Sequence, residues 1–144
     1  MNNLVSLSLI NIAVVAIVVL IHFEALSFLT RWLPKIQVRH RFRILVGVAG
    51  AMLAHVLEVW VFAVAFYFMV EVWGWGSFGG SYDGHLLDCF YFSFTSYTTL
   101  GFGDIQPFGA IRYLTGLESL TGLVLITWTA SFLYLEMQRH WSEV

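Results

Sequence analysis

The sequence predicts an all-α membrane protein with three transmembrane helices, a short re-entrant helix and an irregular segment punctuated by glycine. Three observations carry this. Hydrophobic residues make up 59% of the 144-residue chain and charged residues only 11%, against about 25% charged in soluble domains. The apolar residues gather into three runs near or above the length that crosses a bilayer as a helix, about 20 residues. Between the second and third runs lies an aromatic stretch, residues 85–99, too short to cross. It leads into Thr98-Thr99-Leu100-Gly101-Phe102-Gly103-Asp104.

Residues 4–21 are almost unbroken apolar sequence, interrupted by Ser6, Ser8 and Asn11, and the helical pattern continues past His22 and Glu24 to Leu29. Met1-Asn2-Asn3 carries no positive charge and the run exceeds a usual signal core. It therefore reads as a retained span rather than a cleaved leader, despite the small residues of Ala25-Leu26-Ser27. Residues 30–43 hold five of the seven basic residues, Arg31, Lys35, Arg39, Arg41 and Arg43, with Pro34 as a helix breaker. Arg139 lies near the C-terminus. The positive-inside rule then expects this loop and the C-terminus in the cytoplasm and the N-terminus outside. The arginines are not spaced along an apolar helix as in a voltage sensor, so the loop is expected on anionic headgroups.

Residues 44–72 form the second predicted span, long enough to tilt or protrude. His55 and Glu58 lie three apart on one face. They read as a polar contact with the first span, near His22 or Glu24. A proton relay is less favoured, because no further acids follow as a chain. Residues 73–84, rich in Gly, Trp and Tyr, read as an external loop at headgroup level.

Residues 85–99 are amphipathic, with Asp83 expected as the cap and Leu86 and Leu87 opening the apolar pattern. A short helix, irregular backbone and then another span is the pattern of a re-entrant loop. Irregular backbone at membrane depth is tolerated only where it lines a cavity or is buried in protein. Such a helix enters from outside and aims its negative C-terminal end inward, which favours a cation. Gly101 and Gly103 can take positive φ without a Cβ clash. Successive carbonyls can then face one axis and replace the hydration shell of a bare cation. Residues 105–109 return the chain to the surface, with Pro107 as a stop. Residues 111–137 form the third span, with Arg112 at its outer end, Glu118 within it, and Gly116 and Gly122 as weak points or sites of close helix contact. Residues 138–144 read as a short polar tail.

Other classes are disfavoured. The formal net charge of −2 says nothing about a nucleic-acid partner, but no basic run is interleaved with aromatics as a binding surface would need, so none is expected. The single cysteine, Cys89, excludes an intramolecular disulfide or a multi-cysteine metal site and reads as a packing residue. The chain has no internal repeat of the kind secondary transporters carry. His85 and Asp88 share a helix face with no nucleophile or ligand set beside them, so an enzyme is not expected.

The motif, the aromatic helix before it, the external aspartate and the flanking spans together resemble the pore domain of tetrameric potassium channels. The resemblance covers about residues 44–137 and is closest to small two-span bacterial channels. The phenylalanine before the second glycine also resembles two-pore-domain channels. Residues 1–43, an extra N-terminal span and its basic loop, lie outside the two-span pattern. The pore domain would occupy 44–144, with outer helix 44–72, pore helix about 85–98, selectivity filter 99–104 and inner helix about 110–137.

The resemblance implies site roles. Carbonyls of Thr99, Leu100, Gly101 and Phe102 would form stacked rings for K+, the permeant ion, and no organic cofactor is implied. The Thr99 hydroxyl would form the innermost ring, Gly103 would let the chain turn away, and Asp104 would fix the outer mouth. One strip cannot surround an ion, so three identical partner subunits are expected in a homotetramer, set in the lipid of a cell membrane. Many members pair a filter tyrosine with a pore-helix tryptophan. Phe102 and Phe92 stand there in this chain, and apolar packing between them is expected, with Tyr91 donating to Asp104. Thr95 stands where some members carry a carboxylate behind the filter. Glu118, one turn before the hinge-like Gly122, is expected beside the pore helix to supply it. Leu123, Ile126, Ala130 and Tyr134 fall at helical spacing for a water-filled cavity, with Thr127 as the alternative phase. The expected function is passive potassium conduction. A weakly selective monovalent cation channel, or a nonconducting scaffold or regulatory subunit, are the rival readings. No sensor domain names a gating stimulus.

Overall fold

The computed structural model describes residues 2–35 and 40–141 of the chain, with side chains over 4–35 and 42–138. Arg39 lies outside the described residues, as do the side chains of Arg41 and Arg139. Three long helices dominate: α1 (Asn2–Trp32), α2 (His40–Tyr67) and α4 (Ile111–Trp141). Each contains a segment apolar enough to cross a membrane. The shorter α3 (Leu86–Tyr97) precedes the glycine segment. Pro34 falls in a 3₁₀ turn, Leu33–Lys35, that ends the first helix. A π-helical turn, Phe68–Val72, ends the second. Helices α2 and α4 run about four residues further into polar sequence than the apolar pattern indicates. Apolarity marks the bilayer, and polar residues such as Arg and Gln are good helix formers beyond it.

Helix α1 packs on both α2 and α4. Leu33 reaches Gly47 of α2, and Leu133 of α4 meets the same glycine. The end of the first helix, the start of α2 and the last third of α4 therefore share one end of the molecule. Helix α3 packs between α2 and α4. The core beneath it joins Val18 of α1, Phe62, Phe66 and Met69 of α2, Cys89, Phe92 and Tyr97 of α3, and Leu114 and Leu125 of α4.

The glycine-rich stretch after α2 is more ordered than a loop at headgroup level. Strand β1 (Gly76–Gly80) pairs antiparallel with β2 (Ile105–Gly109), Gly76 opposite Gly109 and Gly80 opposite Ile105. The glycines permit the approach: a Cβ on Gly80 would sit 2.0 Å from the Asp104 carbonyl oxygen. Ser81 N–H donates to that carbonyl at 2.9 Å. This two-stranded ribbon is the only sheet among the described residues. It ties the exit of the glycine segment to the end of α2. The Tyr82 hydroxyl donates to Glu71 at 2.8 Å and lies 3.7 Å from Cys89 Sγ, which fixes the loop to α3. Burial and the neighbouring Glu71 carboxylate push the Tyr82 phenol up, so it remains a donor.

Asp83 does not cap α3. Asp88 reaches back instead, accepting from the backbone N–H of Asp83 at 3.0 Å and of His85 at 3.2 Å. A carboxylate in the first turn satisfies orphan amides and suits the helix dipole.

Candidate functional site: the glycine segment and its supports

Helix α3 ends at Tyr97, and the next residues fold back on its last carbonyls. Thr99 N–H donates to Ser96 O at 3.0 Å; Leu100 and Gly101 N–H both donate to Thr95 O, at 2.9 and 3.1 Å. In a trans peptide the C=O points opposite to the following N–H. Amides turned toward α3 therefore turn the carbonyls of Thr98, Thr99 and Leu100 away from it. Along the segment the sign of φ alternates: it is +59° at Thr99, +53° at Gly101 and +80° at Gly103, but not positive at Leu100 or Phe102. Thr99 is the only non-glycine residue with positive φ among those described. Such a conformation costs about 1–2 kcal/mol and persists only where the surroundings enforce it.

The strip is bare in a single chain. Every residue from Thr98 to Asp104 is exposed, and Phe102 retains 65% of its surface. Phe92 is buried and packs its ring on Phe66 and Phe78. The Phe92–Phe102 contact expected from sequence is thus not formed within the chain: α3 turns Phe92 to α2 and β1, while Phe102 lies on the open side. Tyr91 does meet the Asp104 carboxylate. Gln106 Nε2 donates to Gly103 O at 3.2 Å.

Behind α3 the supports come from α4. Ser119 Oγ donates to Ser96 O at 3.0 Å. Gly122 touches the Tyr97 carbonyl so closely that a Cβ would lie 2.1 Å from its oxygen. Close helix contact, one of the two readings of Gly122, is what the packing requires; α4 passes through it unbroken. Glu118 is fully buried beside α3, hydrogen-bonded to Ser93, which also donates to Val59 O at 3.0 Å. Its approach is to Ser93 rather than Thr95, whose hydroxyl donates to Phe92 O at 2.9 Å. Glu118 Oε2 has no partner among the described residues.

Sequence reasoning missed the most connected group. Tyr97, the last residue of α3, donates its hydroxyl to Glu58 of α2. Glu58 also meets His22 Nδ1 of α1 at 2.9 Å and His55 Nδ1 at 3.0 Å. His55 Nε2 meets Thr129 Oγ1 of α4 at 3.0 Å. One buried carboxylate thus gathers side chains from α1, α2 and α3, and α4 joins through His55. The predicted contact of His55 and Glu58 with the first span is made, through His22 and not Glu24. The spacing of His55 and Glu58 signalled a shared face, but nothing signalled Tyr97.

On α4, Ile111, Leu114, Glu118, Leu125 and Thr129 are buried, and Leu123, Thr127, Ala130 and Tyr134 are exposed on the opposite side. Ile126 lies at the edge of that face, in a crevice with His55, Val59, Phe94 and Tyr97. Thr127 falls nearer the middle of the exposed stripe, and Ile126, also exposed, lies at its margin.

A family model described as ion channel matches residues 54–138, more than half of the chain. The chain belongs to this ion channel family. The family takes in two-span channels, including potassium-channel pore domains. The matched segment runs from α2 through α3 and the glycine segment to α4, and it leaves α1 outside. No curated protein and no solved structure matches the chain. The protein is a membrane-embedded ion channel.

Proposed function

We propose that the chain forms a potassium-selective pore as a homotetramer, with one glycine segment per subunit lining a single axis. The amides of Thr99, Leu100 and Gly101 fold back on α3, and this observation carries the reading. It leaves a ladder of carbonyls free on the exposed side. In this proposal the carbonyls of Thr99, Leu100, Gly101 and Phe102 replace the hydration shell of K+ in successive rings, and sites in series allow rapid exit. The Thr99 hydroxyl forms the innermost ring, Gly103 turns the chain out and Asp104 shapes the outer mouth. The C-terminal end of α3 adds negative potential below the filter.

The exposure of Phe102 and Leu100 in one chain supports assembly, because large apolar side chains at a filter need cover from neighbours. The same holds for the α4 stripe of Leu123, Thr127, Ala130 and Tyr134, assigned here to the inner cavity. The clustering of basic residues around the junction of α1 and α2, from Arg31 to Arg43, supports a cytoplasmic loop and C-terminus in a cell membrane. The test is ion flux from proteoliposomes of purified protein. Efflux driven by a potassium gradient and absent with sodium supports the reading. Equal flux of both ions would replace it with a weakly selective channel, and no flux with a nonconducting subunit.

A further inference from the structure

We propose that His22, His55, Glu58 and Tyr97 form an intramembrane site for a divalent transition metal, zinc being the best match. Two imidazoles and a carboxylate suit zinc and its neighbours, whereas K+, Mg2+ and Ca2+ favour all-oxygen shells. The site is therefore distinct from the permeation path in chemistry as well as in place.

The geometry is close to a coordination shell. One ligand atom from each of His22, His55 and Glu58 lies within 4.8 Å of the other two. His22 Nδ1 is 2.9 Å from Glu58 Oε1, His55 Nδ1 is 3.0 Å from Glu58 Oε2, and His55 Nδ1 is 2.9 Å from the Tyr97 hydroxyl. Tetrahedral zinc with bonds of about 2.0–2.1 Å holds its ligand atoms about 3.3–3.4 Å apart. The three hydrogen-bonded pairs need to part by a few tenths of an ångström, while the two imidazoles already lie with their ligand atoms within 4.8 Å of each other. His22 and Glu58 are fully buried, and His55 keeps 19% side-chain exposure. His55 borders a largely apolar crevice lined by Met52, Phe94 and Ile126.

At His55 the surroundings fit the protonation that ligation requires, while His22 Nε2 is buried without a partner among the described residues. Metal on Nδ1 leaves the proton of His55 on Nε2, which then donates to Thr129 Oγ1. Such an outer hydrogen bond fixes the ring of a metal-bound histidine. Binding releases protons. If the Tyr97 phenol proton leaves to water, a divalent ion, one carboxylate, one phenolate and two neutral imidazoles sum to zero charge. A neutral site is the least costly one in a low-dielectric interior. Ionisable side chains at membrane depth are expensive and tend to be functional. Here two histidines and one glutamate, from α1 and α2, converge on the residue that ends α3.

The experiment is metal binding by the full-length purified protein in lipid nanodiscs, stripped with chelator and titrated with cobalt(II) or zinc(II). The expected result is one metal per chain and visible absorption bands of tetrahedral cobalt that vanish as zinc displaces it. His22→Gln and His55→Gln each abolish the bands. Thr129→Val, which leaves every ligand in place, weakens the affinity about 10–100-fold. No metal retained by the wild-type protein, or retention unchanged in both histidine variants, overturns the site and leaves a hydrogen-bonded network alone. None of these readouts involves ion flux, so the binding result stands or falls separately from the proposed conduction.

Discussion

Gly122→Ala is the most informative single change behind the glycine segment. A methyl group there would lie 2.1 Å from the Tyr97 carbonyl oxygen, 2.9 Å from its carbon and 3.0 Å from the ring Cγ. Ordinary contact begins at 3.4 Å, so α4 and the end of α3 would have to part by about 1.3 Å. The obstacle is backbone and cannot rotate aside. Overpacking of this kind costs about 1–3 kcal/mol. The displacement falls two residues before Thr99, where the folded-back amides hold their carbonyls at 2.9–3.1 Å. A shift of that size would carry them beyond hydrogen-bonding reach. Gly116→Ala is the matched control, with nothing within 4 Å of the new methyl and a gain of about 1 kcal/mol in helix propensity. Thermal stability of the purified assembly and potassium-against-sodium flux in liposomes read the difference. Gly122→Ala is expected to melt earlier and to lose its ion preference, while Gly116→Ala keeps both. A Gly122→Ala protein with wild-type stability and preference would refute the close-contact role. Altered open time with preference intact would point to a hinge instead.

Other expectations follow from the same geometry. Asp88→Ala removes the acceptor for two amides at the start of α3 and should cost about 1 kcal/mol of stability, read as a lower melting temperature with flux retained. Thr127→Cys should be blocked by a thiol reagent applied from the C-terminal side and Ile126→Cys spared; block at Ile126 alone would shift the phase of the cavity face. Glu118→Gln, which keeps the shape beside Ser93 but removes the charge option, should change selectivity or open time; identical single-channel records at several pH values would make Glu118 a packing residue only.

The spans were legible because long apolar runs leave few alternatives, and α3 because its run is too short to cross. The positive φ at Gly101 and Gly103 follows from the glycine spacing. Thr99 was not legible: threonine rarely adopts that backbone, and only the fold-back onto Thr95 and Ser96 enforces it. The pairing of β1 with β2 was hidden by distance along the chain and by the low strand propensity of Gly76-Ser77-Phe78-Gly79-Gly80. Asp83 precedes the apolar pattern and so reads as the cap, whereas the chain geometry selects Asp88 in the first turn. The Tyr97–Glu58–His22 junction was only partly legible. Helix α1 is apolar on nearly every side, so no stripe marks which face meets α2. The Phe92–Phe102 contact was inferred from two matching positions, but a single chain turns them to different neighbours.

In the proposed function the carbonyl ladder beginning at Thr99 selects potassium. Its most direct test is the reversal potential of purified protein in a bilayer, with potassium on one side and sodium on the other. A potassium-selective ladder gives a potential displaced strongly toward the potassium equilibrium value, and Gly101→Ala, strained at φ +53°, brings it back toward zero. A wild-type potential near zero under the same gradient would contradict the claim.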